Sequence, residues 1–187
     1  LDDHPDKFKL VAIADPLPEK RQYFIDNYDV PAEGVYDDYK KLLSQPKLAD
    51  IVMICTQDKM HYEPAMMAIE KGYDLLLEKP VAPTPEECFR ISEAAKENGV
   101  RVLVCHVLRY TPFYKTIKNI ISSGKLGEVV NVTHTEGVGN VHMSHSFVRG
   151  NWGNEGRSSF MLLQKCCHDI DILQWLINKD CKKIQSF

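Results

Sequence analysis

The chain has 187 residues, 44% of them apolar and 26% charged, and a formal net charge of −3 at pH 7. That length accommodates one domain, or one and part of another, and the slight acidity argues against nucleic-acid or membrane-surface partners. No apolar run approaches the roughly 20 residues of a membrane span, and no signal peptide is visible. Six cysteines are present. Cys55 and Cys105 lie in strand-like runs, Cys88 in a helical one, and Cys166 and Cys167 are adjacent. No disulfide framework is apparent, so buried free thiols in a reducing, cytoplasmic setting are expected.

In chain order, Phe8 to Ala14 predicts a strand ending in Asp15. Pro16-Leu17-Pro18 opens a helix over roughly Glu19 to Tyr28, and Tyr39 to Leu43 reads as a short helical turn. Ile51 to Cys55 predicts a buried strand ending in Thr56 and Gln57. A helix from about His61 to Lys71 closes at Gly72. Leu75 to Leu77 is too short for a helix and does not alternate, which predicts a strand buried on both faces. Pro80 has no N–H to donate, so that strand stops at Glu78 and Lys79. Thr84, Pro85 and Glu87 form a capping-box pattern for a helix reaching Asn98-Gly99, and Val100 to Cys105 is the next strand. Strand and helix alternate with short connections, which predicts an α/β fold with a Rossmann-type, doubly wound parallel sheet.

After Pro112 the pattern changes. A helix to about Ile121 is followed by an alternating, half-exposed strand, Val129 to Glu136. The polar stretch from Gly137 to Ser159 is long for a structureless loop. Phe160 to Ile177 predicts one continuous helix with Leu162, Cys166, Ile170, Leu173 and Ile177 on an apolar face. Lys183 to Phe187 reads as the start of a strand.

Several residues carry chemistry. Asp15, after a buried strand, can accept the ribose hydroxyls of an adenosine, which favours NAD; Lys20 and Arg21 nearby keep NADP open, and a helix-capping role for Asp15 is the alternative. Thr56 and Gln57 follow the second strand and can line a cofactor groove. His61 starts the next helix, as a cofactor neighbour or a surface residue. Glu78 and Lys79 end a buried strand; a lysine in such a place can exchange protons with a substrate hydroxyl, and Glu78 can orient it or reach the cofactor ribose. On the last long helix Gln164, His168, Asp171 and Trp175 cluster opposite the apolar face, with Lys165 at the margin, a set able to orient and deprotonate an alcohol. Arg109, Tyr110, His145 and Trp152 are candidates for shaping a substrate pocket. His142, His145, Cys166, Cys167 and His168 are zinc-ligand types, but adjacent helical cysteines diverge by about 100°, and no metal site is expected.

These segments together resemble the Gfo/Idh/MocA family of NAD(P)-dependent oxidoreductases. VAIADP is similar to the second strand of its Rossmann domain, ICTQDKMH to its T-x-x-x-x-H turn, and LLLEKPVA to its EKP signature. VLRYTPFYKTIKNIISSGKLGEV resembles the segment joining its two domains, and KCCHDIDILQWL its catalytic helix. The resemblance implies a dinucleotide-binding domain over residues 1–110 and, over 111–187, the start of an α+β domain with a mostly antiparallel sheet that often forms the oligomer interface, here a dimer or tetramer. It implies NAD, with NADP possible, and a sugar, cyclitol or related polyol as substrate. Lys79 corresponds to the substrate-binding, proton-relay lysine and His168 to the catalytic histidine, and the Lys79–Pro80 bond is often cis in relatives. Many members carry an Asp four residues before that histidine; the position here is Gln164, and Lys165 beside it can compensate. None of the residues before Asp15 is Gly, so the chain is expected to be a fragment lacking the first strand, the Gly-rich loop and most of the second domain. Two further readings stand beside the dehydrogenase: glycoside cleavage through transient oxidation by bound NAD, and a ligand-sensing regulator without catalysis.

Overall fold

The computed structural model describes residues 3–150, 153–154, 156 and 159–185. Two compact units emerge: Leu1–Thr56, Met60–Leu77 and Pro85–Leu103 form the first, and Gln57–Lys59, Glu78–Thr84 and Val104–Phe187 the second.

The first unit is a parallel α/β arrangement. Strand β1 (Ile13–Ala14) pairs in parallel with β2 (Val35–Tyr36), joined through α1 (Pro18–Tyr28). After α2 (Tyr39–Ser44), β3 (Ile51–Ile54) pairs in parallel with β4 (Asp74–Leu77), and β5 (Val102–Val104) lies on the far side of β4. Helices α3 (Tyr62–Glu70) and α4 (Pro85–Glu97) make the connections. Both end in the same way. The amides of Gly72 and Tyr73 return to Ile69 and Ala68, and those of Gly99 and Val100 to Lys96 and Ala95. This paired closure requires a left-handed residue, and glycine supplies it at φ +77° and +66°.

Strand register explains the burial. Val52, Ile54, Leu75 and Leu77 share one face, and Ile54, Leu75 and Leu77 are buried there with Ala65, Ala68, Ile69 and Ile91 of α3 and α4. Ile51 and Met53 point the other way and are 46% and 52% exposed. Strand β3 is therefore buried on one face only, the face that α3 packs against, and not throughout as its unbroken apolar run predicts. Strand β1 is also shorter than the Phe8–Ala14 run, Phe8 being exposed, and β2 carried no signal strong enough to be predicted.

In the second unit α5 (Pro112–Ser122) starts with Thr111 as its cap, the hydroxyl accepting from the Tyr114 amide at 3.4 Å. Residues 129–136 form no strand, so the predicted half-exposed strand is absent: Val130 and Val132 are exposed with no pairing partner among the described residues. The polar stretch after Gly137 contains α6 (Asn140–His142) running directly into a π-helical turn, Met143–Val148. The last helix is broken, with α7 (Met161–Gln164) separated from α8 (Cys167–Ile177) by a turn at Lys165–Cys166. That break displaces the helical wheel: Leu162 and Ile170, expected on the apolar face, are exposed, and Ile172 and Leu176 are buried instead. Residues 183–185 are not strand, and the rest of that expected strand lies outside the described residues. The six cysteines form no disulfide among the described residues, and none is buried as expected: Cys55 and Cys181 are exposed and the other four are half-buried. No described helix is long and apolar enough to cross a membrane.

Candidate active site

Strand ends deliver the first residues. Asp15 immediately follows β1; its Oδ1 accepts from the Leu17 amide at 2.8 Å and its carbonyl from Arg21 Nη1 at 2.5 Å. The carboxylate thus steadies the entry to α1, the role weighed against ribose binding. Thr56 follows β3 closely, its hydroxyl donating to the Met60 carbonyl at 3.0 Å. His61 is no surface residue: it is buried, with Nε2 3.0 Å from the Thr56 carbonyl. Gln57 is exposed. Glu78 follows β4, and its Oε2 accepts from the Lys79 amide at 3.2 Å. The Lys79–Pro80 peptide is cis.

The second unit gathers the titratable groups. Lys79 Nζ donates to the Gln164 carbonyl at 3.3 Å. The Gln164 side chain is 3% exposed, and its Nε2 donates to Asp58 Oδ2 at 2.6 Å, Asp58 being 6% exposed. An amide thus occupies position 164, and a buried carboxylate lies against it.

The turn between α7 and α8 sets His168 on the first turn of α8. Its ring stands edge-on to His106, with centroids 6.1 Å apart. Burial is the main force lowering the His168 pKa below the ordinary 6.5; the charges of Lys79, His106 and Lys165 lower it further, against a small opposing pull from Asp169. Burial likewise lowers the pKa of His106, with Asp171 opposing and Arg109 reinforcing. Both imidazoles are therefore neutral at neutral pH and able to accept a proton. Each keeps a buried Nδ1 with no hydrogen-bond partner among the described residues. Beside them burial raises the pKa of the Cys167 thiol, leaving it protonated.

Arg109 is held by Asp171, with Nε to Oδ2 2.7 Å and Nη2 to Oδ1 2.5 Å. This two-pronged bond raises the Arg109 pKa and fixes the guanidinium. The same Asp171 oxygen lies 3.8 Å from His106 Nε2. Lys165 pairs with Glu136 at 2.9 Å. Trp175 belongs elsewhere: Lys118 bonds its carbonyl at 2.5 Å and stands 5.3 Å from its ring centroid. Tyr110 and His145 are exposed, and Trp152 lies outside the described residues. A recess of about 700 Å³ beside Phe8, Ile25 and Tyr28 is lined by none of the candidate residues.

Sequence reasoning missed Asp58 and His106. Asp58 stands inside the T-x-x-x-x-H turn, and an acid in a stretch otherwise read as cofactor groove was the available signal. His106 follows the last strand directly, the same strand-end position that singled out Asp15 and Lys79.

These residues fit a dinucleotide cofactor in one respect. Within the first unit, Asp15 and Thr56 each lie just past the carboxyl end of a parallel strand, where open α/β sheets bind ligands. Such an arrangement defines an α/β protein of the dinucleotide-binding class.

Within that class the chain belongs to the Gfo/Idh/MocA oxidoreductases: residues 1–106 match the family's NAD-binding Rossmann fold, and residues 114–187 its C-terminal domain. It is 29% identical over 180 residues to the inositol 2-dehydrogenase of Salmonella paratyphi B, an alignment covering 96% of this chain and 50% of that protein. The WlbA dehydrogenase of Bordetella pertussis, solved with NADH and UDP-GlcNAcA, is 26% identical with a TM-score of 0.73, covering 94% of this chain and 49% of that one. The myo-inositol 2-dehydrogenase of Lactobacillus plantarum superposes with a TM-score of 0.77 at 21% identity, over 92% and 49% of the two chains, and shows the fold alone. The chain spans about half the length of the curated relatives it matches.

Proposed function

We propose that this chain carries residues of an NAD-dependent dehydrogenase acting on a secondary hydroxyl of a cyclitol, sugar or related polyol, with NADP the alternative cofactor. The observation that carries the reading is that Lys79, anchored on the Gln164 carbonyl, lies in the same unit as His168 and near enough for its charge to help keep that imidazole neutral. Residues 1–110 would form the dinucleotide-binding domain and 111–187 the start of the substrate domain. The similarity to inositol 2-dehydrogenases supports a cyclitol as the first substrate to try.

Bound NAD supplies the hydride acceptor. Asp15 would bind the adenosine ribose, Thr56, Gln57 and His61 would shape the groove, and Glu78 would orient Lys79. His168 would take the hydroxyl proton, and Lys79 would hold the same oxygen and lower its proton affinity. Gln164 does not itself transfer a proton; its amide fixes Asp58, so a carboxylate is retained beside the lysine's anchoring carbonyl. Lys165, paired with Glu136, would add positive charge near the imidazole. Arg109, immobilised by Asp171, would hold a substrate hydroxyl, with Tyr110, His145 and Trp152 as weaker contributors. The retained carboxylate speaks against a regulator without catalysis. Six cysteines outside any disulfide favour a reducing compartment, and a homodimer or homotetramer is the proposed assembly, to be read by light scattering.

The test is nicotinamide absorbance during turnover with a panel of inositols and sugars, with product analysis alongside. Lys79→Ala and His168→Ala should each lower kcat by about 10²–10⁴-fold. Full activity in the double variant would overturn the reading. A cleaved glycoside without net NADH would replace it with transient oxidation.

A further inference from the structure

We infer that His134, Glu136 and Asp169 form a binding site for a divalent first-row transition ion, of the zinc or cobalt class. Sequence spacing does not reveal it, because His134 and Asp169 lie 35 residues apart.

The three side chains come from two segments. His134 and Glu136 lie two residues apart in the irregular segment that precedes α6. Asp169 is buried in the first turn of α8. One ligand atom from each residue lies within 4.8 Å of the others. His134 Nε2 sits 2.6 Å from Asp169 Oδ1. Two ligands of one tetrahedral ion stand about 3.3 Å apart, so this pair needs to open by less than an ångström to admit one.

A hydrogen-bonded pair alone would not make a site. The second observation is on Asp169: the residue is 8% exposed, and its Oδ2 is buried with no hydrogen-bond partner among the described residues. A buried carboxylate oxygen without a donor is costly, and a cation held also by His134 satisfies it. One imidazole and two carboxylates suit a borderline divalent ion, and three protein ligands leave a coordination position open. Lys165 stands against occupancy. Its ammonium holds Glu136 Oε1 at 2.9 Å, so ion and ammonium compete for one carboxylate. That competition gives the proposal its sharpest signature: removing the lysine charge should tighten metal binding.

The experiment titrates chelator-treated protein with Co²⁺, read by its visible absorption, followed by displacement with Zn²⁺. One ion per chain is expected. His134→Gln and Asp169→Asn should each weaken binding by at least about tenfold, Glu136→Gln should weaken it less, and Lys165→Met should strengthen it. Circular dichroism and the metal-free melting midpoint establish that each variant is folded, and any variant that is not folded is replaced in the comparison by Glu136→Gln. Absence of Co²⁺ binding by the parent protein would overturn the site. So would equal affinity in the parent and the folded ligand variants, or weaker binding in Lys165→Met.

Discussion

The two units cohere by different means. Among the described residues, the first holds most of the buried apolar side chains, including Leu43, Ile69, Leu75, Leu77 and Ile91. The second buries Ala82, Ile172 and Leu176 but also Asp58, Ser159, Gln164 and Asp169. In the first, non-directional apolar burial does the work, at roughly 25 cal/mol per Å². In the second, named donors meet named acceptors across long stretches of chain. The second unit keeps polar groups inside and pairs some of them, as Gln164 with Asp58, while His106 Nδ1, His168 Nδ1 and Asp169 Oδ2 find no partner among the described residues.

The widest gap between the units should show in the apolar core. Leu77→Ala removes a fully buried side chain and should cost about 2–5 kcal/mol, measured by urea unfolding. Asp171→Asn tests the other mode of cohesion. It weakens the double bond to Arg109 and should cost about 1–3 kcal/mol; a double-mutant cycle with Arg109→Met isolates the pair. Smaller still is Lys118→Met, which strips the cation from the last-turn carbonyls of α8, at about 1 kcal/mol.

A pH series separates the units without mutation. The folded-state pKa values of His106 and His168 are lowered from 6.5, so between those values and 6.5 the unfolded chain binds more protons. Stability should therefore be full above pH 6.5 and fall as the pH drops through that window. Replacing both histidines by Asn should flatten this slope; an unchanged slope would assign it to other groups. At the bottom of the scale, Arg101→Ala cuts an exposed ion pair with Asp74 and should leave the unfolding midpoint where it is.

This division also explains what could be read from the chain. Helices α1, α3, α4 and α5 carry their own punctuation: Pro18, Gly72, Pro85, Gly99 and Thr111 act through local backbone geometry, which spacing reveals. Burial of β3 did not follow from Ile51–Ile54, because exposure of Ile51 and Met53 depends on what else covers the sheet. Lys79, Gln164 and His168 were legible as candidates, yet the partner of Gln164 was not. Asp58 lies 106 residues away, and nothing in a helical wheel reports so distant a neighbour. The break at Lys165–Cys166 was equally silent, since neither residue is Gly or Pro.

The π-helical turn over Met143–Val148 has a consequence for how this segment accepts changes of length. A π turn holds one residue more than an α turn. Deleting a single residue there can be absorbed by reversion to ordinary α geometry, with the flanking chain entering and leaving in nearly the same places. The same deletion inside α3 or α4 would rotate every following side chain by about 100° and carry the buried alanines to the wrong side. Insertions and deletions should therefore accumulate around 143–148 and be purged from 62–70 and 85–97.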